Sequence, residues 1–193
     1  MEKFIEVRWH GRGGQGAVTA AKALADAVLS YGKYVQAFPE YGPERMGAPL
    51  RAYNRISDKP IKIYASVNNP DIVIIVDGSL LEFTEMITDG IKDDTVFIVN
   101  TTFTPNEIKE KLSLKPSNKV YTVDANTISI ECLGKFIPNT PMLGAIARAT
   151  GMVTLDILEK EIKKAFEKKF GEKVVNGNIQ ALKRAYEEVK VSE

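Results

Sequence analysis

The chain has 193 residues, of which 44% are hydrophobic and 26% charged, a balance that is typical of globular proteins and excludes general disorder. Lysine and arginine total 26 and aspartate and glutamate total 25, so the net charge of +1 provides no strong field for nucleic acid or a membrane surface. The single cysteine, Cys132, excludes a disulfide framework and any cysteine-ligated iron–sulfur cluster or cysteine-rich zinc site held by this chain alone. The single histidine, His10, has no second histidine with which to bind a metal ion.

The N-terminal residues 1–4 contain no apolar signal core. No run of residues approaches the ~20 consecutive apolar positions that span a bilayer. We therefore expect a protein of the reducing cytoplasm, with no membrane partner.

Strand and helix patterns alternate from the N-terminus. Residues 4–9 form a short apolar run that predicts a strand, and the apolar spacing from about residue 14 to residue 31 predicts a helix. Residues 34–38 predict a second strand that ends at Pro39. The segment 39–49 holds three prolines and two glycines, so it predicts an irregular loop.

The middle of the chain predicts further strands. Residues 50–56 and 61–65 have strand-like patterns around a Ser-Asp-Lys-Pro turn, which predicts a hairpin. Residues 71–77 form a continuous apolar run with an aspartate at each end, as is typical of a central parallel strand covered on both faces. Residues 95–100 and 119–124 repeat this pattern.

Helix signals separate and follow these strands. Thr104 and Glu107 form a capping-box pattern with a proline at the first helical position, and Thr140 precedes Pro141 in the same way. Apolar stripes at helical spacing occupy the last 40 residues. We predict one domain over residues 1–193, an α/β doubly wound, mostly parallel sheet with an inserted hairpin and C-terminal helices.

A glycine-rich loop lies between the first strand and the first helix. Its residues have the spacing G-x-G-x-x-G and are Gly11, Arg12, Gly13, Gly14, Gln15 and Gly16. Glycine permits close approach of a ligand to the backbone, and the amide groups at a helix start attract anions such as phosphate. Arg12 would add a bidentate donor. The alternative is a tight turn in which the glycines serve only packing.

A nicotinamide dinucleotide is a second hypothesis for this loop. It requires a carboxylate at the end of the second strand, about 20 residues further on, to hold the ribose hydroxyls. Glu40 is near that position, but it enters the Pro/Gly loop. The sequence therefore leaves this hypothesis open without favouring it.

Three segments carry longer patterns than the glycine spacing. They read RWHGRGGQG at residues 8–16, AFPEYGPERMGAP at residues 37–49 and IPNTPMLGA at residues 137–145. Together they resemble the 2-oxoacid:ferredoxin oxidoreductase family, and within it the gamma subunits of pyruvate:ferredoxin oxidoreductase, or pyruvate synthase. The resemblance extends from about residue 4 to the C-terminus.

The resemblance implies a complex with alpha, beta and delta subunits that converts pyruvate, coenzyme A and oxidised ferredoxin to acetyl-CoA, carbon dioxide and reduced ferredoxin. Thiamine diphosphate, Mg and the iron–sulfur clusters would lie on partner subunits, while this chain would help to dock coenzyme A. The alternatives are a gamma subunit for 2-oxoisovalerate, 2-oxoglutarate or indolepyruvate, and a non-catalytic assembly subunit.

The resemblance also implies which residues contact coenzyme A. The nucleotide phosphates would be received by Gly13, Gly14, Gln15, Gly16 and Ala17. A lysine of related single-chain enzymes corresponds to Glu44, which leaves the neighbouring Arg45 as the candidate cation. Asn139 and Asn178 correspond to two asparagines of the same site. No catalytic residue and no metal ligand is expected on this chain.

Three other side chains have a structural and a functional interpretation. His10 would anchor the loop through a hydrogen bond or act as a base near a thiol. Cys132 would be a small buried apolar residue or a nucleophile, and no cation flanks it closely in the sequence. Asp77 would cap a helix or orient a ligand. We favour the structural interpretation of each.

Overall fold

The computed structural model describes residues 4–40 and 47–192 of the chain. Its strands are β1 (Ile5–Arg12), β2 (Tyr34–Glu40), β3 (Pro49–Ser57), β4 (Ile72–Ile75), β5 (Val96–Asn100), β6 (Val120–Val123) and β7 (Lys190–Val191). Its helices are α1 (Ala17–Ser30), α2 (Thr84–Thr88), α3 (Pro105–Lys111), α4 (Ala125–Leu133), α5 (Asn139–Thr150), α6 (Leu155–Phe166) and α7 (Glu172–Glu188), with a 3-10 helix at Gly78–Glu82.

The seven strands form one sheet in the order β2-β3-β1-β4-β5-β6-β7. The central strands β1, β4, β5 and β6 are parallel, whereas β3 and β7 run antiparallel to their inner neighbours and β2 runs antiparallel to β3. Parallel strands need helical crossovers, which bring helices onto both faces of the sheet. The predicted α/β fold class is therefore confirmed.

Side chains of the parallel strands alternate between two apolar cores. In β4, Ile72 and Ile74 point to a core shared with α1 and α4 to α7, while Val73 and Ile75 point to a smaller core that includes Leu80 of the 3-10 helix. All four β4 residues are buried. Burial on both faces explains why this strand reads as a continuous apolar run rather than an alternating one.

The inserted hairpin exists, but the predicted pairing of residues 50–56 with residues 61–65 is wrong. β3 pairs with β2 on one side and with β1 on the other, so neither of its edges is free for a third strand. The segment after β3 forms no strand, and the carbonyl oxygens of its Ile63 and Ala65 accept hydrogen bonds from the buried guanidinium of Arg55.

Two strand ends differ from the predicted ones. β1 continues through the first glycine to Arg12, because β3 pairs with it along its whole length. β2 continues through Pro39 to Glu40. A proline is compatible with this strand because β2 is at the edge of the sheet, where one side of the backbone needs no hydrogen-bond donor.

The capping box predicted at Thr104 is confirmed at the start of α3.

A buried polar bridge fixes α1 against the sheet. The indole N–H of Trp9 donates to the Oδ1 atom of Asn54 at 2.7 Å, and the Nδ2 atom of Asn54 donates to the carbonyl oxygen of Ala21 at 2.8 Å. All three residues are buried. Since buried polar groups are costly when unpaired, this arrangement selects one position of α1 and so places the loop that precedes it.

Candidate functional site

The glycine-rich loop ends β1 and starts α1, as predicted. Gly16 is the residue before the helix and has φ +81°, and a Cβ atom there would lie 2.8 Å from the Nδ2 atom of Asn139. Gly14 has φ +96° with nothing within 4 Å of its Cβ position. Left-handed backbone favours glycine at both positions, and the close contact with Asn139 reinforces that preference at Gly16.

Part of the loop is occupied by its own hydrogen bonds. The Oε1 atom of Gln15 accepts from the amide of Arg12 at 2.9 Å, and the Nε2 atom of Gln15 donates to the carboxylate of Asp77. The amide of Gly13 donates to the carbonyl oxygen of Ala48 at 3.2 Å. The Gln15 side chain and the Gly13 amide therefore form their hydrogen bonds within the protein.

Arg12 is also held by protein groups. Its guanidinium donates to the Oγ atom of Ser79 and to the carbonyl oxygen of Gly47, each at 3.1 Å, and its Nε atom lies 3.3 Å from the Oδ2 atom of Asp77. A guanidinium with these partners stabilises the loop. These partners do not test the predicted contact of Arg12 with a phosphate, which stays a prediction.

Asp77 links this network to the neighbouring strand. It follows β4 and caps the 3-10 helix by accepting from the amide of Ser79 at 2.9 Å, so the predicted capping role is confirmed. Burial acts to raise the pKa of Asp77, but hydrogen bonds from Gln15 and Ser79 and the charge of Arg12 outweigh it and leave the pKa below its ordinary value. The carboxylate therefore remains ionised and keeps Arg12 and Gln15 in place.

The start of α1 is the part of the loop open to a ligand. Gly16 has no side chain that could cap the helix, and Thr19 in the first turn is exposed. Ala17, which the resemblance assigned to the phosphate site, is itself buried, so only its backbone amide is suited to contact an anion. Uncapped amide groups and the helix dipole together favour a negatively charged group at this position.

The structure places Asn139 at this helix start and links Asn178 to the next residue of α5, Thr140. Asn139 begins α5, contacts Gly16 and accepts from the amide of Thr140 at 2.9 Å. The hydroxyl of Thr140 donates to the Oδ1 atom of Asn178 in α7 at 2.8 Å, and the Nδ2 atom of Asn178 donates to the carbonyl oxygen of Val174. Sequence reasoning missed Thr140, although it lies in the same IPNTP segment as Asn139.

A cavity of about 590 Å³ opens beside the two asparagines. The first turn of α1, the end of α4, the start of α5 and the segment from the end of α6 to the start of α7 surround it. Its lining residues are Thr19, Glu131, Cys132, Leu133, Gly134, Lys135, Ile137, Asn139, Thr140, Phe166, Phe170, Lys173, Val174 and Asn178. A cavity of this size with few polar groups is typical of small-molecule sites.

Two predicted site residues, Glu44 and Arg45, lie outside the described residues. The residues that follow them do contact the glycine loop, since the carbonyl oxygens of Gly47 and Ala48 accept from Arg12 and Gly13. The β2–β3 connection therefore ends beside the loop. The roles of Glu44 and Arg45 remain predictions.

His10 does not anchor the loop as we expected, because within the described residues its side chain is hydrogen-bonded only to Arg8. It is fully buried, and its Nε2 atom accepts a hydrogen bond from the Nε atom of Arg8 at 3.1 Å. Within the described residues its Nδ1 atom has no hydrogen-bond partner. Burial, followed by the charges of Arg8 and Arg51, lowers the pKa of His10 to about 3, so the imidazole is neutral at physiological pH.

Cys132 differs from expectation in two ways. It is only partly buried and lines the cavity, and the Nη1 atom of Arg184 lies 3.8 Å from its Sγ atom. The expectation of a buried thiol without a nearby cation is therefore wrong. The cation comes from α7, more than 50 residues further along the chain, so spacing within the sequence gave no sign of it.

Among the described residues, no three histidine, cysteine, aspartate or glutamate side chains lie close enough together to hold a metal ion. None of the helices in the described parts of the chain is long and apolar enough to span a bilayer.

A strand–glycine loop–helix unit at the carboxyl end of parallel strands, with polar side chains and a cavity beside it, defines an α/β protein whose loop has the geometry that suits an anionic ligand. Residues 6–188 match the family model described as pyruvate ferredoxin/flavodoxin oxidoreductase. The chain therefore belongs to that family, and the resemblance noted in the sequence is confirmed.

Characterised relatives cover almost the whole chain. Pyruvate synthase subunit PorC of Thermotoga maritima is 48% identical over 192 residues, covering 100% of this chain and 98% of the relative. The subunit named "Pyruvate/ketoisovalerate oxidoreductases common subunit gamma" of Pyrococcus furiosus is 50% identical over 190 residues, covering 98% and 100%. The crystal structure of pyruvate oxidoreductase subunit PORC from Thermotoga maritima has a TM-score of 0.88 at 46% identity, covering 100% of both chains.

Proposed function

We propose that this chain is the gamma subunit of a pyruvate:ferredoxin oxidoreductase complex and that it docks coenzyme A. The observation that carries the docking role is the open start of α1 with Asn139 against Gly16, beside a cavity. The assignment to the complex is supported by relatives 48% and 50% identical over nearly their full lengths.

The partners of this proposed function are the alpha, beta and delta subunits and, through the complex, ferredoxin. Those subunits would carry thiamine diphosphate, Mg and the iron–sulfur clusters, because one cysteine cannot supply the thiolates of a cluster. Coenzyme A is a substrate of the complex. We place the complex in the cytoplasm, whose reducing conditions keep a thiol such as Cys132 free.

The proposed role of this chain is positioning. The backbone amides at the start of α1 would hold the pyrophosphate of coenzyme A, while Asn139 would donate from its side-chain amide. The Arg12, Gln15 and Asp77 network keeps the loop rigid, which lowers the entropy cost of binding. The thiol would then extend toward the acyl group on a partner subunit, and orientation of that kind accelerates a reaction without any acid or base on this chain.

A second candidate is a gamma subunit shared between two enzymes. The Pyrococcus furiosus relative is named as common to pyruvate and ketoisovalerate oxidoreductases, and it is 50% identical to this chain. A subunit that binds only coenzyme A is compatible with either 2-oxoacid, since the substrate contacts would lie on partner subunits. Purifying the chain with its native partners and assaying pyruvate against 2-oxoisovalerate distinguishes these candidates.

The docking role is tested by Asn139→Ala in the assembled complex. We expect the KM for coenzyme A to rise about tenfold, because one charge-assisted hydrogen bond is lost, while the KM for pyruvate is unchanged. Steady-state kinetics over a range of coenzyme A concentrations measures both constants.

Asn176→Ala is the matched control, since Asn176 is an exposed asparagine of α7. It should change neither constant. If Asn139→Ala leaves the KM for coenzyme A unchanged and lowers only the yield of assembled complex, the site has an assembly role and the docking proposal is wrong.

A further inference from the structure

The segment 78–89, which comprises the 3-10 helix and α2, has an outer side that packing within this chain does not explain. Phe83 lies between the two helices and is 46% exposed although it is a large apolar residue. Three carboxylates of the segment, Glu82, Glu85 and Asp89, are exposed beside it. None of the three forms an ion pair with any residue that the structure describes.

We propose that the outer side of the segment 78–89 docks onto the partner subunit that carries thiamine diphosphate. Phe83 enters an apolar pocket of that subunit, and the carboxylates around it face lysine or arginine side chains. This inference rests on the proposed function, because it assumes that coenzyme A passes from this chain to that subunit. It names the surface of this chain at which the two subunits meet.

The inner side of the segment is held firmly by the sheet. The Nη2 atom of the buried Arg8 donates to the carbonyl oxygen of Ile87 at 2.7 Å, and the Nη2 atom of Arg51 donates to the carbonyl oxygen of Met86 at 3.2 Å. Leu80 of the 3-10 helix is buried in the smaller apolar core. The outer side is therefore already ordered in this chain, which lowers the entropy cost of docking.

The position of the segment identifies its partner. The Oγ atom of Ser79, the second residue of the segment, accepts from the guanidinium of Arg12 at 3.1 Å, so the segment adjoins the glycine loop at the carboxyl ends of the parallel strands. Coenzyme A held at the start of α1 must extend its thiol from this side of the sheet to reach an acyl group elsewhere. The subunit that holds the acyl group therefore has to contact this chain here.

A second exposed phenylalanine lies on the same side of the sheet. Phe103 follows β5 and is 48% exposed, and β5 pairs in parallel with β4, which the segment 78–89 follows. The two connections therefore lie at the same end of neighbouring strands. Aromatic residues are enriched in the cores of protein interfaces, whereas large apolar surfaces are rare on proteins that stay monomeric.

The charge of the segment determines the chemistry of the partner surface. Its three carboxylates are accompanied by no lysine or arginine between residues 78 and 89. Such a surface is attracted to lysine and arginine side chains and repels another acidic surface. A second copy of this chain that presented the same side would be repelled, so charge favours a different subunit with a basic surface.

The first test replaces Phe83 by the photoreactive p-benzoyl-phenylalanine in the full-length chain of the assembled complex. We expect irradiation to cross-link position 83 to the subunit that carries thiamine diphosphate, and mass spectrometry identifies the cross-linked subunit. The same replacement at Phe103 is the second position and should give the same product. Leu29 is the control, because it is 59% exposed at the far end of α1 from the glycine loop and should not cross-link to that subunit.

The second test reverses two charges, Glu82→Lys with Glu85→Lys. We expect the Kd of the chain for the rest of the complex to rise about tenfold at about 0.05 M salt and the difference to shrink at about 0.5 M salt, because salt screens the lost attraction. Sedimentation of the diluted complex measures both values. The matched control is Glu110→Lys with Glu187→Lys, which reverses two exposed carboxylates of α3 and α7 and should leave the Kd unchanged.

Three outcomes would contradict the proposals in different ways. If position 83 of the assembled complex cross-links to another subunit, to a second copy of this chain or to nothing, this inference is wrong and the coenzyme A proposal stands. The inference is also wrong if the variant of Glu82 and Glu85 dissociates no more readily than the control. If the complex that contains this chain holds no subunit with thiamine diphosphate, both proposals fail.

Discussion

At the scale of single residues, polar side chains near the glycine loop differ in their hydrogen-bond partners. The side chains of Arg12 and Gln15 bind groups of the protein itself, Arg12 the hydroxyl of Ser79 and Gln15 the carboxylate of Asp77. Asn139 keeps its side chain against Gly16 at an open helix start. The residue type therefore predicts which hydrogen bonds a side chain can form. The neighbouring groups in the fold determine whether those hydrogen bonds are made within the protein.

His10 provides a prediction at this scale. Its pKa in the folded protein is about 3, below the value of 6.5 in the unfolded chain, so the unfolded chain binds the proton first as the pH falls. The stability that neutral His10 contributes is complete above pH 6.5 and decreases as the pH falls toward 3. The loss is at most about 1.4 kcal/mol for each pH unit between these pKa values.

The comparison is between wild type and His10→Gln, which keeps an acceptor for Arg8. Urea denaturation at pH 7.5, 6.0 and 5.0 measures the free energy of unfolding. We expect the wild type to lose stability across this range and the variant to lose less, because His10 is the only histidine and few other side chains titrate there. Equal slopes in the two proteins would contradict the buried neutral histidine.

At the scale of elements, the close crossing of α5 and α7 sets the geometry of the cavity. A Cβ atom at Gly144 of α5 would lie 2.1 Å from the carbonyl oxygen of Leu182 in α7, so the two backbones approach as closely as glycine permits. The same approach lets Thr140 donate to Asn178 at 2.8 Å. The hydrogen bond between Thr140 and Asn178 therefore forms because a glycine lies one turn further along α5.

Gly144→Ala should consequently be strongly destabilising. The added methyl group must push α5 and α7 apart, and overpacking of this kind typically costs about 1–3 kcal/mol, occasionally more. Gly171→Ala is the control, since no atom lies within 4 Å of a Cβ at Gly171. Thermal and urea denaturation of both variants measures the difference, and equal stability would contradict the close crossing.

At the scale of the whole molecule, the strand order argues against the dinucleotide hypothesis that the glycine loop left open. In dinucleotide-binding sheets the second strand lies beside the first, which brings its terminal carboxylate to the ribose. Here β3 separates β2 from β1, so Glu40 stands two strands, or about 10 Å, from the strand that carries the loop. The carboxylate of Glu40 also accepts a hydrogen bond from the hydroxyl of Tyr53.

We therefore expect the full-length chain to give no enhancement of NADH fluorescence on titration. Glu40→Gln should not alter that result, because the carboxylate is too far from the loop to hold a ribose and is bound to Tyr53. A micromolar response to NADH that Glu40→Gln abolishes would restore the dinucleotide hypothesis and reverse our choice of ligand.

Local patterns in the sequence were sufficient for most element types, for the α/β class and for the position of the glycine loop between β1 and α1, but not for residues 61–65, which form no strand. The capping box at Thr104 involves residues close together in the chain, and the structure confirms it. The apolar run 71–77 reflects burial on both faces of the sheet, and the structure confirms the buried strand β4 within it. The family resemblance likewise rested on contiguous segments and was confirmed over residues 6–188.

Only the tertiary structure decided which strand completes the hairpin, which loop groups remain open and that a cavity lies beside the asparagines. Each depends on residues far apart in the chain: Ser79 stands 67 positions after the Arg12 that it binds, and Asn178 stands 38 positions after Thr140. Tertiary packing determines these hydrogen-bond partners. A local sequence pattern shows which groups a residue can bind, but not which distant residue the fold places beside it.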